Sequence, residues 1–593
     1  MEFDRKTVLA FVLIGLILLL VNTDLYQRLL FNGEPPRPTS PETTTPERKE
    51  PPTQKEQRAG AQRDASFEKT TPSIIGSFAG TDSIREEQII IDTPLYRAQL
   101  SNRGGVINRV ELKEYLTKTQ EPATVFSDSH GSPSILLPIE QDTLDTSRLM
   151  FFVSGSSASI EGQQNRKISF THRLRDGQQI KKTYEFKADR YDIELKVEFE
   201  NIRSLTNAYS YALKWQSPLL GTEQKIGDDM GHAKVYALVN KDLEKFDVGS
   251  DPQISERRDD WITTWIAVRT KYFATAIIPQ GTSGNGLSME GRTTPDEDGN
   301  VIKQYSYSLS MPFYREGSEG HHFKIFVGPL KYSILKSYEV DLHRMMDLGW
   351  KWVVEPFSVL SLVVFNFMYK YIPNYGFVIV IFSVLIKIIL TPLTQRSTRS
   401  MKEMQLLQPK IAELREKYSK DPQKLNQETM KLYSEHGVNP LGGCLPTVLQ
   451  MPLLFALFMV FSSAIELRLA PFILWIKDLS VSDTIYQLPG GIPINILPLF
   501  MGLTMFVQQQ MTITDPKQKF MLYLMPVIFT FMFYGFPSGL TLYYSLFNVM
   551  SIIQQKYFTN TKPLELKKKP TTKTQRWKKL SFNQALARGR SKR

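Results

Sequence analysis

The sequence predicts an α-helical polytopic membrane protein of six spans, five of them forming a core, with an external all-β sandwich domain and a cytoplasmic helical hairpin. Three patterns predict it. Apolar runs occur near the start and again across residues 356–556; residues 83–330 alternate with period two; residues 396–438 place apolar side chains at three-and-four spacing among charges. The mean hydropathy of -0.24 conceals this unevenness.

Composition narrows the chemistry. Cys444 is the single cysteine, so neither an intramolecular disulfide nor a cysteine-based zinc cluster can form, and the external domain depends on its own core. The net charge is +12, and residues 562–593 carry twelve Lys and Arg against Glu565 alone, or 12 - 1 = +11 of it. The basic character therefore belongs to the tail, not to the fold.

In chain order, residues 1–26 hold the unbroken apolar run Val8 to Val21 behind Arg5 and Lys6. No small-x-small cleavage pattern follows Val21, which favours a retained signal anchor with its amino end in the cytoplasm. Residues 27–82 read as a tether, with seven prolines between Glu34 and Pro52 and too little apolar surface to offset ordering entropy. Residues 83–330 read as strands. Ile193, Leu195, Val197 and Phe199 alternate with Asp192, Glu194, Lys196 and Glu198. Asn102-Arg103-Gly104-Gly105, Arg175-Asp176-Gly177 and Asp298-Gly299-Asn300 supply hairpin breaks, so a large antiparallel sandwich is expected.

That domain offers little chemistry. His321 and His322 are adjacent, point to opposite faces of a strand and read as ordinary surface histidines. Asp296-Glu297-Asp298-Gly299 lacks the later coordinating glutamate of a calcium loop and reads as a turn.

Residues 331–374 are expected to form an amphipathic helix on the outer membrane surface over Lys331 to Glu355, then a short apolar stretch from Phe357 to Tyr369 that reads as an interfacial or re-entrant lead-in, with a separate span as the alternative. Residues 375–395 form a span. Residues 396–438 form a helical hairpin interrupted at Ser419 to Pro422, with a kink or helix start at Pro409 and a cap at Gly437. Its nine basic residues from Arg396 to Lys431 place it in the cytoplasm. Residues 439–556 supply spans over Leu445 to Ile465, Ile492 to Val507, Phe520 to Phe536 and Leu540 to Ile553, with Trp475 as an interface anchor in the external connection. With the anchor this makes six spans, and both termini are cytoplasmic. Residues 557–593 are the basic tail.

One residue disturbs the apolar pattern. Gly376 to Leu393 is eighteen residues long and contains a single full charge, Lys387. An ammonium there either snorkels to the interface or lines a wet cavity. Ser383, Thr391, Gln450, Asn495, Thr504, Thr541, Tyr543, Tyr544, Ser545 and Asn548 give the second alternative company, although each alone is compatible with bonding to its own helix or with an interfacial belt. The main spans lack Asp and Glu in their interiors, there is no P-loop, and Gly535-Phe536-Pro537-Ser538-Gly539 is not a hydrolase elbow. ATP-driven or proton-driven transport and hydrolysis are thereby disfavoured. No cofactor or metal is expected.

Several stretches together carry a specific resemblance: Ile386-Lys387-Ile388-Ile389-Leu390-Thr391-Pro392-Leu393-Thr394, Leu407-Gln408-Pro409-Lys410-Ile411, Asn439-Pro440-Leu441-Gly442-Gly443-Cys444-Leu445-Pro446, Gln450-Met451-Pro452 and Phe536-Pro537-Ser538-Gly539-Leu540. With the anchor, tether, β domain and basic tail, the chain resembles the YidC family of membrane protein insertases in its Gram-negative form, whose large β domain is periplasmic.

The resemblance implies a bacterial inner-membrane insertase and chaperone that is not an enzyme. Its clients are nascent membrane proteins, held in a hydrophilic groove while their apolar segments leave along the lipid side. The resemblance assigns Lys387, Ser383 and Gln450 to that groove and Met505, Tyr543 and Tyr544 to client contact. The family commonly has arginine at the position of Lys387; lysine keeps the charge without the planar fork. Further implied partners are the Sec translocon and its accessory subunits, the signal recognition particle receptor and the ribosome. For the tail, with Lys567, Lys568, Lys569, Lys578 and Lys579, ribosomal RNA and anionic membrane lipids are both chemically suitable. No small-molecule substrate is implied. A secondary transporter and a structural envelope protein are the alternatives; the first lacks visible internal repeats, and the second gives Lys387 no role.

Overall fold

The computed structural model describes residues 85–558, apart from 140–141, 175–176, 203–205, 207, 224, 250, 297–298, 314–318, 439–444, 490–492 and 513–518. The amino-terminal apolar run, the tether, the basic tail and most of the Asn439 to Pro446 loop lie outside the described residues. The described chain divides into two compact units, one of residues 85–330 and 338–345, the other of 331–337 and 346–558.

The first unit is a β-sandwich. Gln88–Asp92, Tyr96–Ser101, Val106–Leu116 and Pro122–Ser132 form an antiparallel sheet, to which Ala158–Ser159 adds in parallel. The second sheet has fourteen strands. Period two decides how they face: in Asp192–Glu200, Ile193, Leu195, Val197 and Phe199 are buried, while Glu194, Lys196 and Glu198 stay half-buried on the other side. That strand pairs antiparallel with Gln179–Lys187 and with Glu319–Pro329. Across the sandwich Phe126 meets Trp215 edge to face at 5.1 Å. Large aromatics of this kind supply much of the apolar burial that a domain without disulfides requires.

The turns follow their glycines. Gly104 and Gly105 adopt φ of 81° and 55°, a region open to glycine, and a Cβ on Gly105 would stand 2.9 Å from Phe170. Gly299 has φ of 79°, and the Asn300 amide donates to Asp296 Oδ1 at 2.6 Å, which closes a turn. The adjacent histidines do face opposite ways, but His321 is not a surface residue. It is buried and bonds the Tyr211 hydroxyl at 3.1 Å, while His322 is exposed. Tyr211 faces the core on its own strand, and this neighbour draws one histidine inward.

Lys182 lies in the same core, wholly buried. Its ammonium donates to the carbonyls of Gly104 at 2.8 Å, Pro133 at 2.9 Å and Gly105 at 3.4 Å. Burial pulls its pKa down to about 7, against a weaker upward pull from Asp145.

The expected amphipathic helix over Lys331 to Glu355 does not form. A helix covers Tyr332–Lys336, a 3-10 turn covers Leu342–Met346, Glu339 and Asp341 take positive φ between them, and Asp347 and Gly349 do so just after. The apolar spacing is used all the same: Leu335, Leu342, Met345, Met346 and Leu348 are buried. In the β unit the backbone finds its partners on the sheet, where Trp265 Nε1 donates to Val340 O at 2.8 Å and an Arg269 guanidinium NH donates to Met345 O at 2.9 Å. Side-chain donors from the sheet replace the helical ladder, and periodicity does not register that.

The second unit is helical. Its main helices are α1 (Glu355–Tyr369), α2 (Tyr375–Leu406), α3 (Gln408–Lys417), α4 (Pro422–His436), α5 (Leu445–Ser463), α6 (Ile496–Thr512), α7 (Lys519–Phe533) and α8 (Ser538–Ile553). Asn374 caps α2 by accepting from Phe377 N at 3.2 Å. The helix continues through Pro392 for 32 residues, about 48 Å at 1.5 Å per residue. Pro409 occupies the first turn of α3, where its missing N–H costs nothing. Gly437, at φ of 69°, closes α4. Among the described residues one helix, over Tyr375–Pro392, is long and apolar enough to cross a bilayer by length and composition; Glu355–Tyr369, Gln450–Ser463 and Leu522–Phe533 are shorter apolar stretches.

The entry to α6 is fixed by Asp483. Its Oδ2 accepts from Leu497 N at 2.7 Å, Ile496 N at 3.0 Å and Trp475 Nε1 at 3.0 Å. Trp475 is thus tied to this cap.

Two predictions follow from these buried groups. The unfolded Lys182 titrates near 10.5 and the folded one near 7, so between those pH values the unfolded chain holds more protons and stability rises with pH. Chemical denaturation of Lys182→Met should show that rise flattened. It should also show a loss of about 1–3 kcal/mol at pH 10, because carbonyls are left without their donor. Asp483→Ala should cost about 1–2 kcal/mol in thermal unfolding and shift Trp475 emission, with Asp483→Asn recovering much of the loss.

Candidate functional site

Helix α2 presents an apolar stripe outside and buries its polar residues inside. Phe377, Ile381, Leu385 and Ile388 form an exposed stripe at steps of four, four and three, with Ile388 66% exposed. Val378, Ile379, Phe382, Ser383 and Lys387 are buried on the opposite side. On α7, Phe520, Tyr523, Val527 and Phe531 are similarly exposed. A water-soluble bundle has the reverse arrangement; hydrocarbon around the helices makes this one favourable.

The inward face of α2 carries Ser383, Lys387, Thr391 and Thr394 at helical spacing. The hydroxyls bond back to their own helix: Ser383 Oγ donates to Ile379 O at 2.7 Å, Thr391 Oγ1 to Lys387 O at 2.7 Å and Thr394 Oγ1 to Leu390 O at 3.1 Å. Lys387 differs. It is 7% exposed, and its Nζ donates to Ser551 Oγ on α8 at 2.7 Å while lying 4.4 Å from the centre of the Phe547 ring. The lysine therefore turns into the bundle and does not snorkel.

Helix α8 supplies the facing surface. Tyr543, Phe547 and Ser551 recur every four residues, and Tyr543 stacks on Phe547 with ring centres 6.0 Å apart. Phe382 of α2 lies 6.3 Å from Tyr543. The Gln450 side chain of α5 approaches the Tyr543 hydroxyl without reaching hydrogen-bond geometry. Thr504 of α6 accepts from Asn548 Nδ2 at 3.5 Å, and Gln554 Nε2 reaches Thr394 Oγ1 at 3.4 Å.

Of the six groove and client-contact residues named from sequence, four gather on this seam: Lys387 and Ser383 on one face of α2, Tyr543 opposite them on α8, and Gln450 beside Tyr543. Tyr544 turns toward α7 and packs on Phe533 at 5.3 Å. Met505 is half-buried on α6. Lys567, Lys568, Lys569, Lys578 and Lys579 lie outside the described residues. Asn495 does not join the seam: it sits at the start of α6, where it accepts from Thr484 Oγ1 at 2.8 Å and donates to Tyr534 O at 2.5 Å. Sequence reasoning missed Phe547 and Ser551. Counting in fours from Tyr543 finds both.

The arrangement has no nucleophile–base pair, and the described residues contain no group of His, Cys, Asp and Glu able to hold a metal. What it offers is one buried cation among hydroxyls, amides and aromatic faces, in a unit whose α2 and α7 expose apolar side chains.

Comparison with known proteins gives the family. A family described as "60Kd inner membrane protein" matches residues 367–565, and one described as "YidC periplasmic domain" matches residues 88–359. A membrane protein insertase YidC of Chlorobaculum parvum is 36% identical over 572 residues, covering 94% of this chain and 95% of its own length. Another, of Chloroherpeton thalassium, is 33% identical over 587 residues, covering 96% and 98%. A solved active YidC insertase is 21% identical with a TM-score of 0.35, covering 81% of this chain and 94% of its own. Likeness of this extent to relatives matched nearly end to end means that the chain belongs to the YidC family of membrane protein insertases.

Proposed function

We infer that this protein inserts nascent integral membrane proteins into the bacterial inner membrane and assists their folding. The observation that carries the reading is the 36% identity to a named insertase over 94% of the chain. The polar seam around Lys387 supplies a physical means. A hydrophilic client segment entering hydrocarbon loses its hydration, and a buried ammonium with hydroxyl and amide neighbours replaces part of it. The apolar client helix meanwhile leaves over the exposed faces of α2 and α7, where no hydration is lost. No covalent step is required.

The finer assignments belong to the same proposal. Lys387, Ser383 and Gln450 form the client groove, and Met505, Tyr543 and Tyr544 touch the client. Six spans place both termini and the α3–α4 hairpin in the cytoplasm, in keeping with nine basic residues between Arg396 and Lys431. The β-sandwich is periplasmic and meets accessory subunits of the Sec translocon. The hairpin meets the signal recognition particle receptor, and the basic tail meets the ribosome or anionic lipid. Neither a transporter nor a structural envelope role finds support among the named relatives.

Two experiments test this. A photo-crosslinking amino acid at Gln450, and in parallel at Tyr544, should label a single-spanning protein presented on stalled ribosomes; labelling only from exposed Ile388 would remove the seam from the client path. Lys387→Met should lower insertion of a client with an acidic leading segment about tenfold, ~1.4 kcal/mol of lost interaction, with Lys387→Arg retaining much of the activity. Reconstituted liposomes and a protease-protection readout measure both.

A further inference from the structure

Lys387 is the one full charge within the Tyr375–Pro392 stretch, yet its immediate partners are neutral: one hydroxyl, Ser551 Oγ at 2.7 Å, and one aromatic face, Phe547 at 4.4 Å. Ser551 is prepared for the role. Its own proton goes to Phe547 O at 2.7 Å, which leaves the oxygen lone pairs facing the ammonium. Phe547 and Ser551 lie one helical turn apart on α8, and the Tyr543 ring stacked on Phe547 limits its rotation. Lys387 itself is held at its root, because Thr391 Oγ1 donates to its backbone carbonyl.

Without this cradle a four-carbon stem would let the ammonium reach the nearer polar interface. With it, the charge stays at the depth of the seam. A hydroxyl and a ring face are also weaker ligands for an ammonium than a carboxylate, whose opposite full charge adds Coulomb attraction in the same low-dielectric setting. The cradle therefore holds the lysine in place while leaving it exchangeable.

We propose that Phe547 and Ser551 are positioning residues that park the Lys387 ammonium inside the seam and release it to a carboxylate of the entering client, giving preference to acidic leading segments. This deepens the insertase reading and rests on it.

The test uses full-length protein in liposomes and two single-spanning clients that differ in their leading segment, one carrying two aspartates and the other two asparagines. Insertion of the neutral client by the wild type checks the insertase reading separately. The measured quantity is the ratio of acidic to neutral client inserted, which a general loss of folding does not move. Ser551→Ala and Phe547→Leu should each lower the ratio about fivefold, and Ser551→Thr, which keeps the oxygen, should restore it. An unchanged or raised ratio in Ser551→Ala and Phe547→Leu, or a ratio in Ser551→Thr as low as in Ser551→Ala, overturns the proposal.

Discussion

An ammonium inside an apolar helical bundle must be solvated by something, and the helical unit is arranged around how Lys387 meets that demand. Its partners come from one neighbouring helix: Ser551 supplies an oxygen and Phe547 a ring face. To bring them there α2 and α8 pack with Ser383, Lys387, Phe547 and Ser551 turned inward, and one apolar stripe of α2 is left outward. The exposed Phe377, Ile381, Leu385 and Ile388 are the other side of the same constraint. A buried lysine and an apolar exterior are thus one arrangement seen from inside and outside.

The hydroxyls around the lysine behave differently from it. Ser383, Thr391, Thr394, Ser545 and Ser551 each donate to a carbonyl of their own helix, which keeps them satisfied in hydrocarbon. Their oxygens still accept. Lys387 has no carbonyl of its own helix to rely on and takes its partners from α8 instead.

The β unit solves a related problem by other means. Lys182 is also a buried lysine without a contacting carboxylate, but three backbone carbonyls surround it and its pKa falls to about 7. There the group ties the Gly104–Gly105 turn to the opposite sheet. Mid-strand and against a turn inside a closed core, it acts as a structural fastener, whereas Lys387 takes its partners from a single neighbouring helix.

The sequence by itself determined the classes of element and the exceptional residue. Period two across Asp192 to Glu200 fixes which side chains enter the sandwich, since a strand has only two faces. The apolar run around Lys387 marks the charge as anomalous, since hydrocarbon tolerates few. Tertiary structure alone decided where the charge goes. Snorkelling and inward burial differ in which neighbour lies within reach, and Ser551 is 164 residues away in the chain. Tertiary structure likewise ended the helix expected from Lys331 to Glu355: its carbonyls are claimed by Trp265 and Arg269, distant donors that local periodicity does not represent. It also drew His321 inward to Tyr211. Local pattern specifies what each segment can bury, and only the assembled fold supplies the partners that polar groups need once they are buried.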